Sequence, residues 1–241
     1  MFYKLSLSLL YGIIFLLMGQ VRTILLERSA FANNDERADI LREDLRKAKT
    51  MLVNVMSSPG AGKTSTLTSL INNIKDKVSV AVMEADIDSD VDAKSIVKNT
   101  GVDSIQLHTG GMCHLDADMT RSGLDAIDYS KYDIIFLENV GNLVCPAEFD
   151  TGATMDIMIL STSEGDDKPL KYPLIFQKCN LVIISKIDAL KFFTFDTQKC
   201  IDNIKYRNKD ATIIPISNKT KEGIEELTTF FLEKIKSYKE S

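Results

Sequence analysis

The residues with the most specific chemistry are Ser57-Ser58-Pro59-Gly60-Ala61-Gly62-Lys63-Thr64-Ser65, which follow the apolar run Met51–Met56 and lead into helical periodicity. A phosphate chain needs that order. Glycines Gly60 and Gly62 let backbone N–H groups of the loop, Ala61 and Ser65 included, turn toward the phosphates. The helix start adds partial positive charge, Lys63 reaches the β/γ oxygens, and Thr64 ligates Mg²⁺. Ser57 stands where the usual G-x-x-x-x-G-K-[ST] pattern begins with glycine, which departs from the pattern but not from its mechanism.

Hydrolysis at such a loop is mostly positioning and charge neutralisation, so carboxylates are needed at the ends of neighbouring strands. Glu84-Ala85-Asp86-Ile87-Asp88-Ser89-Asp90-Val91-Asp92 offers one cluster and Glu138-Asn139-Val140-Gly141 another. The second resembles the D-x-x-G switch that senses the γ-phosphate. Lys63, Asp86 and Glu138 are therefore the expected catalytic group, with Thr64, Asp86 and Glu138 on Mg²⁺. Some acids of the first cluster belong on the dipole-stabilised first turn of the next helix, and Asp88, Asp90 and Asp92 are left unassigned.

Ile184-Ser185-Lys186-Ile187-Asp188 resembles the N-K-x-D motif, whose Asp accepts two hydrogen bonds from guanine that adenine cannot donate. Ser185 replaces the usual Asn. Ser217-Asn218-Lys219 falls where a second base-contacting segment is found. These residues predict GTP and GDP as ligands.

Cys113-His114 and Cys145 supply soft donors suited to Ni²⁺ or Zn²⁺. Taken alone, the Cys113-His114 pair reads first as a buried thiol beside a surface histidine. If it is a metal site, two thiolates and one imidazole leave a donor short, which points to two chains sharing a site or to a backbone nitrogen. Cys179 and Cys200 are read as core thiols and His108 as a satisfied strand histidine.

These groups need a scaffold, and the chain alternates strand-like with helical stretches. Apolar runs at Met51–Met56, Val78–Glu84, Ile105–His108, Tyr132–Glu138, Met155–Leu160, Leu181–Ser185 and Thr212–Ile216 predict an α/β fold. It is a P-loop NTPase with a mostly parallel sheet and helices on both faces. Ala38, Leu41 and Leu45 predict an amphipathic helix over Asn33–Lys49; Ile224, Leu227, Phe231 and Ile235 predict a closing helix over Lys221–Lys236.

The 241 residues, 44% hydrophobic and 26% charged, divide into an apolar extension (1–17), a strand and helix lead-in (18–50) and a G domain (51–241). The extension resembles a signal core or short anchor, but Met18 is a natural cytosolic start and a nucleotide enzyme needs the cytosolic nucleotide pool. It is read as dispensable, with the protein cytoplasmic and no membrane role. A net charge of −5 excludes a nucleic-acid partner, and four scattered cysteines fit a reducing compartment.

SSPGAGKT, TGGMCHLDADM, FLENVGNLVCP, EGDDKPLKYP and ISKID, in that order, together resemble the HypB family of hydrogenase nickel-incorporation GTPases. The resemblance runs from about Ile24 to the C-terminus. It implies a SIMIBI-class GTPase that forms a homodimer with GTP and metal, and binds nickel or zinc through Cys113, His114 and Cys145. Nickel then passes to a [NiFe]-hydrogenase large-subunit precursor with a HypA-like partner. No CxxCxxC segment or poly-His tail is present, which removes the basis for storage or very tight nickel binding. Two other readings are a nucleotide-switched docking protein and a urease-type nickel-insertion GTPase. Urease-type members carry Cys-Pro-His, where this chain has Cys145-Pro146-Ala147.

Overall fold

In a computed structural model, the structure describes residues 21–25, 33–86 and 89–241. The apolar stretch 1–17, Met18, Ile87 and Asp88 lie outside them.

The strands are β1 (Val21–Leu25), β2 (Met51–Ser57), β3 (Val80–Asp86), β4 (Asp103–His108), β5 (Ile134–Glu138), β6 (Met155–Ser161), β7 (Leu181–Ser185) and β8 (Thr212–Pro215). They form one sheet in the order β1-β4-β3-β5-β2-β6-β7-β8, and every pairing is parallel. All seven residues of β2 are buried, as a central strand covered on both faces demands.

Helix α1 (Asn34–Ala48) buries the expected Ala38, Leu41 and Leu45. Helix α2 (Lys63–Ile74) follows the phosphate loop, α3 (Val91–Thr100) follows β3, and α4 (Ala117–Ile127) starts at Asp116, whose carboxylate accepts from the Met119 N–H at 2.9 Å. Short helices α5 (Cys145–Glu148), α6 (Lys168–Lys171) and α7 (Pro173–Lys178) each carry a proline in the first turn, where its missing N–H costs no hydrogen bond. Helix α8 (Thr197–Arg207) precedes β8, and α9 (Ile224–Glu240) closes the chain with Ile224, Leu227, Phe231 and Ile235 buried. Each such apolar side chain contributes about 1.5–3 kcal/mol on burial.

One face of the sheet carries a continuous apolar core from Met51 to Ile235 under α2 and α9. The other face holds two separate apolar clusters, one around Leu41, Leu52 and Leu124, the other around Met56, Phe176 and Ile204. Among the described residues no helix is long and apolar enough to cross a membrane.

Candidate nucleotide and metal site

The end of β2 delivers Ser57, and Gly60 (φ 73°) and Gly62 (φ 98°) turn the chain into α2. A side chain at Gly62 would be strained by that left-handed backbone. The Lys63 ammonium donates to Ser57 Oγ at 3.2 Å and lies 4.0 Å from Glu138 Oε1. Ser57 therefore holds the lysine over the loop from the position the pattern gives to glycine. Neighbouring strands tie the loop down: Ser185 Oγ donates to the Ala61 carbonyl at 2.7 Å, Lys186 Nζ to the Gly60 carbonyl at 2.6 Å, and Ser58 Oγ to the Glu164 carboxylate. Ser185 in place of Asn thus still supplies a donor to the loop.

At the ends of β3 and β5 the register sets Glu84 directly opposite Glu138. Each is 3% exposed, and together with Lys63, Asp86, Asp92, Gln106, Asn139 and Gly141 they line a cavity of about 40 Å³. Glu138 Oε1 accepts from Thr64 Oγ1 at 3.0 Å. Glu138 Oε2, Glu84 Oε1 and Gln106 Oε1 are buried without a hydrogen-bond partner. Burial, then the charge of Glu138, pushes the Glu84 carboxyl well up, and burial also raises Glu138. Two desolvated carboxyls side by side beside a lysine and a threonine hydroxyl make an oxygen-rich, electron-rich recess, which suits a hard divalent cation. Asp86 lines the same cavity from its rim, where its Oδ1 accepts from the Ser89 N–H at 2.9 Å. Asp92 sits in the first turn of α3, as expected of part of the cluster, and Asp90 pairs with Lys94 at 2.5 Å.

Gly141 closes the recess. A Cβ there would meet Pro59 of the loop at 3.1–3.2 Å, so any larger residue would push the loop away by a few tenths of an ångström.

At the C-terminal end of β7, Lys186 takes a left-handed conformation (φ 61°), and its stem passes over the loop. Asp188 Oδ1 accepts from Ser217 Oγ at 2.6 Å, and Asn218 Nδ2 donates to Thr66 Oγ1 at 3.0 Å. The expected base contacts are thus gathered at one end of the phosphate loop. A cleft of about 580 Å³ is lined by Thr64, Ser65, Asp92, Asn218 and Lys219.

The soft donors lie beyond Gly141. Cys113 Sγ and Cys145 Sγ are 2.7 Å apart as free thiols, and Cys145 N–H donates to Asn142 Oδ1 at 3.2 Å. The Cys113 thiol beside it, then burial, raises the Cys145 thiol above its ordinary range. His114 stacks on Phe149 with ring centroids 3.7 Å apart, and its Nδ1 is 3.9 Å from Cys113 Sγ. Burial lowers the imidazole's affinity for a proton, which keeps the neutral, ligand-competent form at pH 7. Among the described residues no three His, Cys, Asp or Glu side chains converge into a complete ion cage.

Cys179 and Cys200 are buried core thiols, with Cys200 pushed up to about 12 by burial. His108 departs from the satisfied role expected of it: its Nδ1 is buried with no hydrogen-bond partner among the described residues. Its register neighbour is Leu25 of β1. Glu84 and Gln106 were not singled out by sequence. The signal for Glu84 was present, since it is the one charged residue inside Val80–Ala85.

A parallel sheet whose central strand feeds a glycine loop into Lys63-Thr64, with acid-bearing strand ends on one side and a Lys-x-Asp turn on the other, defines a P-loop nucleotide-binding protein. The family model described as CobW/HypB/UreG, nucleotide-binding domain, matches residues 51–215. Hydrogenase maturation factor HypB of Escherichia coli (strain K12) is 40% identical over 209 residues, which is 87% of this chain and 72% of that protein. Hydrogenase/urease maturation factor HypB of Helicobacter hepaticus is 37% identical over 217 residues, 88% of each. The crystal structure of HypB from Helicobacter pylori in complex with nickel superposes with a TM-score of 0.80 at 37% identity, covering 86% of this chain and 96% of that one. The chain belongs to the HypB family.

Proposed function

We propose that this protein is a GTP-hydrolysing nickel metallochaperone that delivers Ni²⁺ during maturation of a [NiFe]-hydrogenase. One observation carries the reading. A loop of six residues, Asn139–Val144, joins Glu138, hydrogen-bonded to Thr64 beside the phosphate loop, to Cys145, which lies 2.7 Å from Cys113. A group that senses phosphate and a thiol pair that takes a soft cation therefore share one short segment.

The reaction is GTP + H₂O to GDP and phosphate, with Lys63 and the α2 N-terminus on the phosphates and Asp188, Lys186, Ser217 and Asn218 on the base. Mg²⁺ fits the recess because Thr64, Glu138 and Asp86 offer hard oxygen donors and Gln106 Oε1 in the same lining is buried without a hydrogen-bond partner among the described residues. When bound, the ion neutralises charge on the β and γ oxygens. Ni²⁺ or Zn²⁺ would be held by Cys113, His114 and Cys145. An incomplete donor set within one chain supports a GTP- and metal-driven homodimer. A HypA-like protein and a hydrogenase large-subunit precursor are the proposed partners, in the cytoplasm, with residues 51–241 as the working domain behind the 18–50 lead-in and the dispensable 1–17. Urease is the alternative client, favoured by the name of the Helicobacter hepaticus relative and opposed by Ala147 after Cys145-Pro146.

The test is a Ni²⁺ titration with a non-hydrolysable GTP analogue and again with GDP, while dimer mass is followed. Nickel affinity that depends on nucleotide, with a dimer in the GTP-analogue state, is expected. Nickel binding that is absent or indifferent to nucleotide overturns the proposal.

A further inference from the structure

The two apolar clusters on the second face of the sheet are parted by a seam of amides and a carboxyl. Along β2, Leu52, Asn54 and Met56 point to the same face by strand alternation. Leu52 belongs to one cluster, Met56 to the other, and Asn54 stands between them at 2% exposure. Asn54 is in direct register with Asp156 of β6, and its Nδ2 donates to Asp156 Oδ1 at 2.8 Å. From the other side, Asn139 Nδ2 donates to Asn54 Oδ1 at 3.0 Å. Asn139 Oδ1 in turn accepts from the Val140 N–H at 2.9 Å. The chain of bonds is directional and uses both ends of both amides.

Its two ends lie in different places. Asn139 follows Glu138 and lines the nucleotide recess. Asp156 lines a separate cavity of about 100 Å³ with Met56, Pro146, Phe149, Thr151 and Lys178. Pro146 is bonded to Cys145, and Phe149 is the ring stacked on His114. The segment that carries Gly141, Cys145 and Phe149 is therefore pinned to the sheet by the amide chain at its first residue and packed at its far end on the cavity where that chain stops. Apolar side chains would fill the seam at lower desolvation cost, but they would give the segment no directional anchor.

We propose that Asn54 and Asp156 are positioning residues that couple the nucleotide recess to the Cys113/His114/Cys145 end by fixing the register of the Asn139–Phe149 segment. The proposal rests on the reading of the protein as a nucleotide-gated metal carrier. A shift of Glu138 and Asn139 on phosphate binding is passed through Asn54 to Asp156 and the floor under Phe149, and the thiol pair moves with its segment.

The experiment measures the ratio of Ni²⁺ affinities with a non-hydrolysable GTP analogue and with GDP. It is run on the full chain, in wild type, Asn54→Leu, Asp156→Leu and Asp156→Asn. A ratio cancels a general loss of structure, which weakens both affinities alike. Coupling between sites is typically about 5- to 150-fold, so a wild-type ratio in that range is expected. Asn54→Leu should bring it to within about twofold of unity, because it removes both central bonds while keeping the branched shape and the number of side-chain heavy atoms. Asp156→Asn keeps an acceptor for Asn54 and should retain the wild-type ratio. Should Asn54→Leu fail to fold, Asp156→Leu, which leaves Asn139 bonded to Asn54, is read in its place and should lower the ratio at least threefold. A folded Asn54→Leu with the wild-type ratio overturns the relay alone. A wild-type ratio of one overturns the relay together with the chaperone reading beneath it, and that result is visible before any variant is made.

Discussion

Lys63 illustrates how much of the proposed chemistry rests on one side chain. Its ammonium lies between Ser57 Oγ and the Glu138 carboxylate, and in the proposed reaction it stabilises the charge that develops on the transferring phosphoryl group. Lys63→Ala is expected to lower kcat for GTP hydrolysis by about a hundredfold to a thousandfold, read by phosphate release; wild-type turnover in that variant would remove the assignment. Asp188 is the corresponding anchor proposed for the base. Its carboxylate is oriented by Ser217 at 2.6 Å, which leaves acceptor capacity for guanine. Hydrogen bonds to charged groups are worth about 1.5–3 kcal/mol, so Asp188→Asn should weaken GTP by about 10- to 150-fold and leave ATP unchanged in a competition assay. Equal loss for both nucleotides would argue that Asp188 supports the loop and not the base.

Among the elements, the turns decide. Gly141 lets the loop after β5 approach Pro59, and a methyl there would have to displace Pro59 backbone atoms 3.2 Å away. Gly141→Ala is therefore expected to slow hydrolysis by about tenfold, with little change in melting temperature, because a shift of a few tenths of an ångström at a reacting centre costs rate before it costs stability. Gly223 presents the opposite case. At φ 73° before α9, its added Cβ would lie 2.1 Å from the Pro215 carbonyl oxygen. Gly223→Ala should lower unfolding free energy by about 2–4 kcal/mol in urea titration and leave the turnover of the folded fraction unchanged. The strands and the helices α1 and α9 could be read from sequence because aliphatic runs and 3.6-residue stripes are local signals. The phosphate loop and the Lys186/Asp188 turn were equally legible, since each packs its chemistry into a few consecutive residues. The Glu84–Glu138 contact was not, because it depends on which strands are neighbours and in what register, and the order β4-β3-β5-β2 is set by tertiary packing.

At the scale of the whole molecule, the sheet separates a face with one continuous apolar core from one whose apolar core is divided by polar groups. That division has a consequence for stability against pH. Asp156 is part-buried; burial pushes its carboxyl up, the Asn54 amide offsets part of the rise, Asp150 adds to it, and Arg42 and Lys178 act against it. In the unfolded chain the same carboxyl titrates near an ordinary value of about 3.9. The native state therefore binds the proton more tightly than the unfolded state. The stability this gives is fully present below the unfolded value and is lost as pH rises through the higher folded one. Above that window the native state holds an ionised carboxylate that the seam only partly solvates. Asp156→Asn keeps the acceptor toward Asn54 and cannot ionise, so the variant should gain stability over wild type as pH rises from about 4 to 8, with the two proteins converging toward the acid end. Urea titrations at a series of pH values measure this difference directly. A difference that stays flat over the range, or that grows toward acid, would show that Asp156 is held as a stabilised carboxylate by Arg42 and Lys178, so that the seam would be an ion-pair site in place of a neutral hydrogen-bonded chain.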